Sequence, residues 1–172
     1  MYKVDDDVFY KGTGLCRVTA VRPVKLGGCG ERVCYVLRPH GDPDSTVYIP
    51  VDNEELSELV RPVMTRLEAE ALIDRMPDVP TPWIDNERDR SRDFLAMLRS
   101  CDSLHLVRLV RTLYLERIHR KEQGRTLGAT DTKIMAAAER LLHEELAFVL
   151  GIVPGEVIPY IQRRLSGACA PA

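Results

Sequence analysis

Between Val8 and Val51 apolar and polar positions alternate with a period of two, among β-branched and aromatic residues broken by turn chemistry, and this predicts strands. Cys16, Val18 and Ala20 alternate with Leu15, Arg17, Thr19 and Val21. Val33, Tyr35 and Leu37 alternate with Cys34, Val36 and Arg38, so each run should give a sheet two distinct faces. Gly12 and Gly14 bracket a first turn, Gly27-Gly28 with Gly30 a second, and His40-Gly41-Asp42-Pro43-Asp44 a third. Such spacing suits a meander curling into a small SH3-like or Tudor-like β-barrel. The last run, Ser45 to Val51, contains Pro50, which cannot donate to a ladder and belongs at an edge or a strand end. An edge there offers unpaired backbone to another protein's strand.

Beyond about Pro62 the period becomes helical, which predicts a boundary near residues 60 to 65 and two domains of different class, 1–62 and 63–172. The expected fold is α+β: a small β-barrel followed by an all-α, five-helix domain. Thr65-Arg66-Leu67-Glu68 is a capping box, and Ala69, Leu72, Ile73 and Met76 form an apolar stripe that Pro77 ends. Pro77 to Pro82 is expected to be stiff and extended. A second helix is predicted from Ile84 to Ser100, with Ser91, Phe94, Leu95 and Leu98 inward and Arg88, Arg90 and Arg92 largely outward. Asp102 or Ser103 caps a third, which carries Leu106, Val107, Val110, Leu113, Tyr114 and Ile118 to a stop at Gly124. A fourth begins near Thr130, packs Ile134, Ala138, Leu141 and Phe148, and closes at Gly151. The fifth runs from Pro154 through Leu165, with Ile158, Ile161 and Leu165 on one side.

At 172 residues with 45% hydrophobic content the chain can bury a real core. The formal net charge of -2 argues against a protein that coats DNA by bulk electrostatics. Basic charge is nevertheless concentrated between residues 105 and 125, where Arg108, Arg111, Arg117, Arg120, Lys121 and Arg125 face only Glu116 and Glu122. The acidic start Met1-Tyr2-Lys3-Val4-Asp5-Asp6-Asp7 lacks the form of a signal peptide, and no run approaches the roughly 18 apolar residues of a membrane span, so a cytoplasmic location is expected.

A search for catalytic chemistry finds no convincing set. The five cysteines, at 16, 29, 34, 101 and 169, contain no C-x-x-C pair, and Cys29 with Cys34 lacks a second pair to complete a zinc site, so neither disulfides nor a metal is expected. Gly12-Thr13-Gly14 leads into a strand and not into a helix, so it reads as a turn and not as a phosphate cradle. His143-Glu144-Glu145 lacks the second histidine of a helical zinc motif, since position 147 is Ala, and His40, His105 and His119 fall on separate elements. Neither an enzymatic role nor a cofactor is expected. Trp83 is the only tryptophan, and it stands between a proline-rich linker and Arg88, Arg90 and Arg92. Two readings of it remain open: a core residue, or an apolar wedge against an unstacked base step flanked by guanidinium groups that reach phosphates. The acidic neighbours Asp85, Glu87, Asp89 and Asp93 could pair with those arginines on a helix face.

Taken as an ordered set, the residues resemble the CarD (CdnL) family of bacterial regulators that bind RNA polymerase. The motifs are Tyr2-Lys3-Val4-x-Asp6, Val8-Phe9-Tyr10-x-Gly12-x-Gly14, Thr46-Val47-Tyr48-Ile49-Pro50 with Asn53-x-Glu55, the Trp83 segment, and Ala138-x-x-Leu141-Leu142-x-x-Glu145-Leu146-Ala147. The resemblance implies a Tudor-like domain, shared with the transcription-repair coupling helicase, that contacts the RNA polymerase β subunit through the edge strand Thr46, Val47, Tyr48, Ile49 and Pro50. It also implies a helical domain that meets promoter DNA in the minor groove at the upstream edge of the transcription bubble. Trp83 would be the wedge there, with Arg88, Arg90 and Arg92 as candidate phosphate contacts. Tyr48 stands where some members carry arginine, and the interval from Trp83 to Phe94 is longer than in actinobacterial members. The expected role is therefore a regulator that stabilises the open promoter complex. The alternative is a polymerase-docked adaptor whose helical domain recruits another protein instead of DNA. No membrane and no small-molecule substrate is expected as a partner.

Overall fold

The computed structural model describes residues 1–26, 30–53 and 58–167; the Gly27-Gly28 turn, Cys29, Glu55 and Cys169 lie outside the described residues. The chain divides into two units, Met1–Val63 and Met64–Ala172, whose described residues form a sheet in the first and five α-helices in the second. The fold is α+β, as the change of period at Pro62 implies.

The sheet holds five antiparallel strands: β1 (Asp7–Tyr10), β2 (Gly14–Leu26), β3 (Gly30–Pro39), β4 (Val47–Pro50) and β5 (Val60–Pro62), in the order β4-β3-β2-β1-β5. Gly12 and Gly14 both have positive φ, and Thr13 donates its amide to the Tyr10 carbonyl, so the first glycine turn forms where the sequence places it. A register shift between Val18 and Ala20 bends the long β2–β3 ribbon. Val8, Cys16, Val18, Tyr35, Leu37, Ile49 and Val60 form one buried cluster. Tyr2 closes its margin: its ring meets Tyr35 edge-on at 5.6 Å, and its hydroxyl donates to the Val60 carbonyl at 3.2 Å.

Two expectations for this unit change. Among the described residues the ladder is open and not a closed barrel, because the short outer strands β4 and β5 pair only with β3 and β1. The strict alternation expected for β3 also fails: Cys34, Tyr35, Val36 and Leu37 are all buried, across the stretch where β2 is bulged. Strand β5, only three residues long, is an element that the alternation pattern does not predict.

In the second unit Thr65 caps helix α1 (Arg66–Arg75) with both halves of the capping box formed, and a 3-10 turn over Met76–Asp78 follows. Pro77 therefore sits inside a helical turn, and extended backbone begins only at Val79. Helix α2 spans Glu87–Ser100, with Asn86 as its N-cap; α3 spans Ser103–Glu122, with Asp102 accepting from the amides of Leu104 and His105. Helix α4 covers Ala129–Leu150 and ends at Gly151 in the left-handed conformation, and α5 covers Val157–Leu165 after a 3-10 turn at Pro154–Glu156. No described helix is long and apolar enough to cross a membrane.

The core of this unit is drawn mainly from α3 and α4: Leu106, Leu109 and Leu113 face Ile134, Ala138, Leu141 and Leu146. Glu145 is buried among them and accepts the Met64 amide at 3.2 Å, which fixes the start of the unit onto α4. The stripe on α3 is centred on Leu106, Leu109 and Leu113, so Tyr114 and Ile118, expected inward, fall at its margin and are exposed, as are Phe148 on α4 and Ile158 and Leu165 on α5.

Candidate nucleic-acid interface

Trp83 lies between the Met76–Asp78 turn and α2, on a segment that is held from two sides. Upstream, Arg111 of α3 donates Nη1 to the carbonyls of Met76 and Val79, and Val79 is buried. Downstream, the Asn86 side chain accepts the Asp89 amide at 3.1 Å and starts α2. The indole is thus delivered at a helix entry, partly buried, with its ring against α2.

Its neighbours come from two helices, α2 and α3. Phe94 meets it edge-on, with ring centroids 6.2 Å apart and an interplanar angle of 71°. Arg90, one turn before Phe94 on the same helix face, lies over the indole with its guanidinium carbon 4.3 Å from the ring centroid. Arg120 of α3 approaches the same ring at 5.5 Å. Arg120 is also paired with Glu116 at 2.6 Å, so its charge is partly engaged within the helix.

The three arginines that sequence groups together are separated by the structure. Arg88 and Arg92 are exposed, and Arg92 pairs with Asp89 at 3.1 Å and Asp93 at 2.9 Å. Arg90, expected outward, is only 5% exposed. Its Nε donates to both Asp131 oxygens at 3.3 and 3.2 Å, its Nη2 to Oδ2 at 3.0 Å, and its Nη1 to the carbonyls of Ile84 at 2.8 Å and Asp85 at 3.2 Å. A guanidinium so occupied has no face left for phosphate, and burial without these partners would be prohibitive. Arg120, as a neighbour of the indole, and Asp131, as the partner of Arg90, are the residues that the sequence pattern does not connect to Trp83.

In the first unit the expected docking strand is an outer strand of the sheet. Tyr48, paired across the ladder with Val36, is 41% exposed, whereas Ile49 and Pro50 on the same strand are buried; Thr46 is exposed and Val47 partly so. Among the described residues, strand β4 therefore presents one aromatic side chain and an outer ladder edge while its apolar half anchors it to the core. Elsewhere in the sheet, at β1, the polar chemistry is structural: Asp7 accepts from Arg17 at 2.9 and 3.1 Å and lies 2.8 Å from His40 Nε2. Burial alone would raise the Asp7 pKa, but Arg17 and His40 outweigh it and hold the carboxyl below the usual range. Among the described residues no cluster of three or more His, Cys, Asp or Glu side chains could hold a metal ion.

Residues 2–64 match the family model described as CarD-like/TRCF RID domain, and residues 70–162 match the one described as CarD, C-terminal domain. No curated protein matches the chain. The two matches follow one another in order over nearly all of the sequence, one on each structural unit, and on them the chain belongs to the CarD-like family of non-enzymatic transcription regulators that interact with RNA polymerase.

Proposed function

We propose that the β unit docks on the β subunit of RNA polymerase through the edge strand Thr46–Pro50, and that the helical unit holds the promoter open by wedging Trp83 into the minor groove at the upstream edge of the bubble. The observation that carries this reading is the state of Trp83: the only indole of the chain sits at a helix entry, partly exposed, between Arg120 and the Arg90–Phe94 face. A wedge has to keep part of its surface outside, and the partly buried Trp83 does so. Exposed Arg88 and Arg92, together with Arg120, supply cations for phosphates on either side of the step that is opened.

The mechanism makes and breaks no bond. A factor that binds the melted promoter better than the closed one shifts the equilibrium by that differential affinity. Docking on polymerase supplies a high effective concentration, which is how a chain with net charge -2 works on DNA without binding free duplex tightly. The sign of regulation then follows promoter kinetics, since a promoter that opens readily gains little and escapes more slowly.

The test is the lifetime of the open complex with and without the protein. Stacking worth ~1–3 kcal/mol corresponds to a lengthening of about 5- to 150-fold, which Trp83→Ala should abolish while polymerase binding persists. An unchanged lifetime with Trp83→Ala would favour a second reading, recruitment of another protein. That reading draws on a groove of about 320 Å³ whose walls include Val110, Tyr114, Leu142, Ile158 and Ile161.

A further inference from the structure

The Arg90–Asp131 pair is placed where a stability argument alone does not need it. Two buried charges hold each other no better than a well-packed apolar pair would, and the carboxylate comes from α4, forty-one residues from the arginine it binds. What the pair does geometrically is specific to Trp83. Three nitrogens of one guanidinium are divided between two tasks: Nε and Nη2 hold the Asp131 carboxylate, and Nη1 holds the carbonyls of Ile84 and Asp85, the two residues that follow Trp83. The flat of the same guanidinium covers the indole at 4.3 Å.

We infer that Arg90 and Asp131 are positioning residues that set the presentation of Trp83 before DNA is met. The guanidinium fixes the backbone on the downstream side of the indole and limits its ring to orientations that keep the stacked contact, while Asp131 fixes the guanidinium to a different helix. The ordering of the segment is then completed on folding, so that little conformational entropy is left to lose when the ring engages a base step. A lysine keeps the charge but lacks the planar fork that spans a carboxylate and two carbonyls at once. The inference rests on the reading of Trp83 as the group that meets DNA, but the geometry can be tested apart from it.

Because Trp83 is the only tryptophan, its emission reports this site alone in the full-length protein. Arg90→Lys and Asp131→Asn should each shift the emission to the red and give several-fold faster quenching by acrylamide, with helix content by circular dichroism unchanged. Arg140→Ala, which removes a surface pair with Glu144 on the same helix as Asp131, should change neither. Open-complex lifetime with Arg90→Lys should fall towards the Trp83→Ala value. Folded Arg90→Lys and Asp131→Asn proteins with wild-type emission and quenching would overturn the inference, and should Asp131→Asn not fold, the charge-preserving Arg90→Lys decides it. A loosened indole with a wild-type lifetime, in an assay where Trp83→Ala shortens it, would overturn it too. If Trp83→Ala leaves the lifetime unchanged, the wedge reading fails and the emission data alone decide whether Arg90 positions the ring.

Discussion

The Arg90 guanidinium and the Asp131 carboxylate meet with only 7% and 3% of their side chains exposed, Nη2 lying 3.0 Å from Oδ2. Asp131 also stands in the first turn of α4, where the helix dipole favours a carboxylate. Deleting one partner leaves the other charged and buried, at a cost of ~3–5 kcal/mol, whereas replacing both by apolar groups removes that cost. Urea titration should therefore show a large loss for Asp131→Ala and recovery of most of it in the Arg90→Met/Asp131→Leu double variant. Losses that simply add would show that the two groups are not coupled.

Tyr48 and Ile49 are adjacent on β4 but differ in environment, 41% against 2% exposed. Truncating the exposed ring should leave stability within ~0.5 kcal/mol, whereas Ile49→Ala opens a cavity in the sheet's core and should cost ~2–4 kcal/mol. If β4 is the docking strand, Tyr48→Ala weakens binding to immobilised polymerase without a change in the unfolding midpoint. Wild-type affinity for Tyr48→Ala would move the contact away from this side chain.

These contrasts also mark what can be read from the linear chain. The Thr65 capping box, the Asp102 cap, the glycine turn at residues 12 to 14 and the Gly151 stop all formed as expected, because each is decided by chemistry within a few residues. The burial of Arg90 is not legible in sequence, because a charged residue between Asp89 and Ser91 gives no local sign of it and its partner is 41 residues away. Periodicity points Tyr114 and Ile118 inward because it does not limit the width of a helical stripe; the buried stripe of α3 is instead centred on Leu106, Leu109 and Leu113. Strand β5 has too few residues to show a period, and whether a meander closes depends on the pairing of its first and last strands, which no local pattern encodes.

Asp7 gives the β unit a pH dependence of definite sign. Its carboxyl is held below the usual carboxylate range in the folded protein, where burial is outweighed by the hydrogen bonds from Arg17 and His40. A group depressed on folding contributes fully above its unfolded value and loses the contribution as pH falls through the folded one. Asp7→Asn should thus reduce amide-exchange protection in the β1–β2 ladder at neutral pH, and the difference from wild type should close below about pH 4. A difference that widened on acidification would reverse the assignment.

Arg120 stands 5.5 Å from the Trp83 ring and 2.6 Å from Glu116 one turn back on α3, so a phosphate beside the wedge has to compete with that carboxylate. With side-chain exposures of 29% and 16% the pair is partly solvated, and a pair of this spacing on a helix is worth ~0.3–0.5 kcal/mol. Glu116→Gln should therefore release Arg120 and lengthen the open-complex lifetime by about twofold. Salt titration supplies the more discriminating measurement. Each phosphate newly neutralised steepens the dependence of log K on log salt by about one unit, so the Glu116→Gln complex should be more salt-sensitive and the Arg120→Ala complex less so. Equal slopes for the two variants would place Arg120 beside the indole for packing alone and leave the phosphates to Arg88 and Arg92.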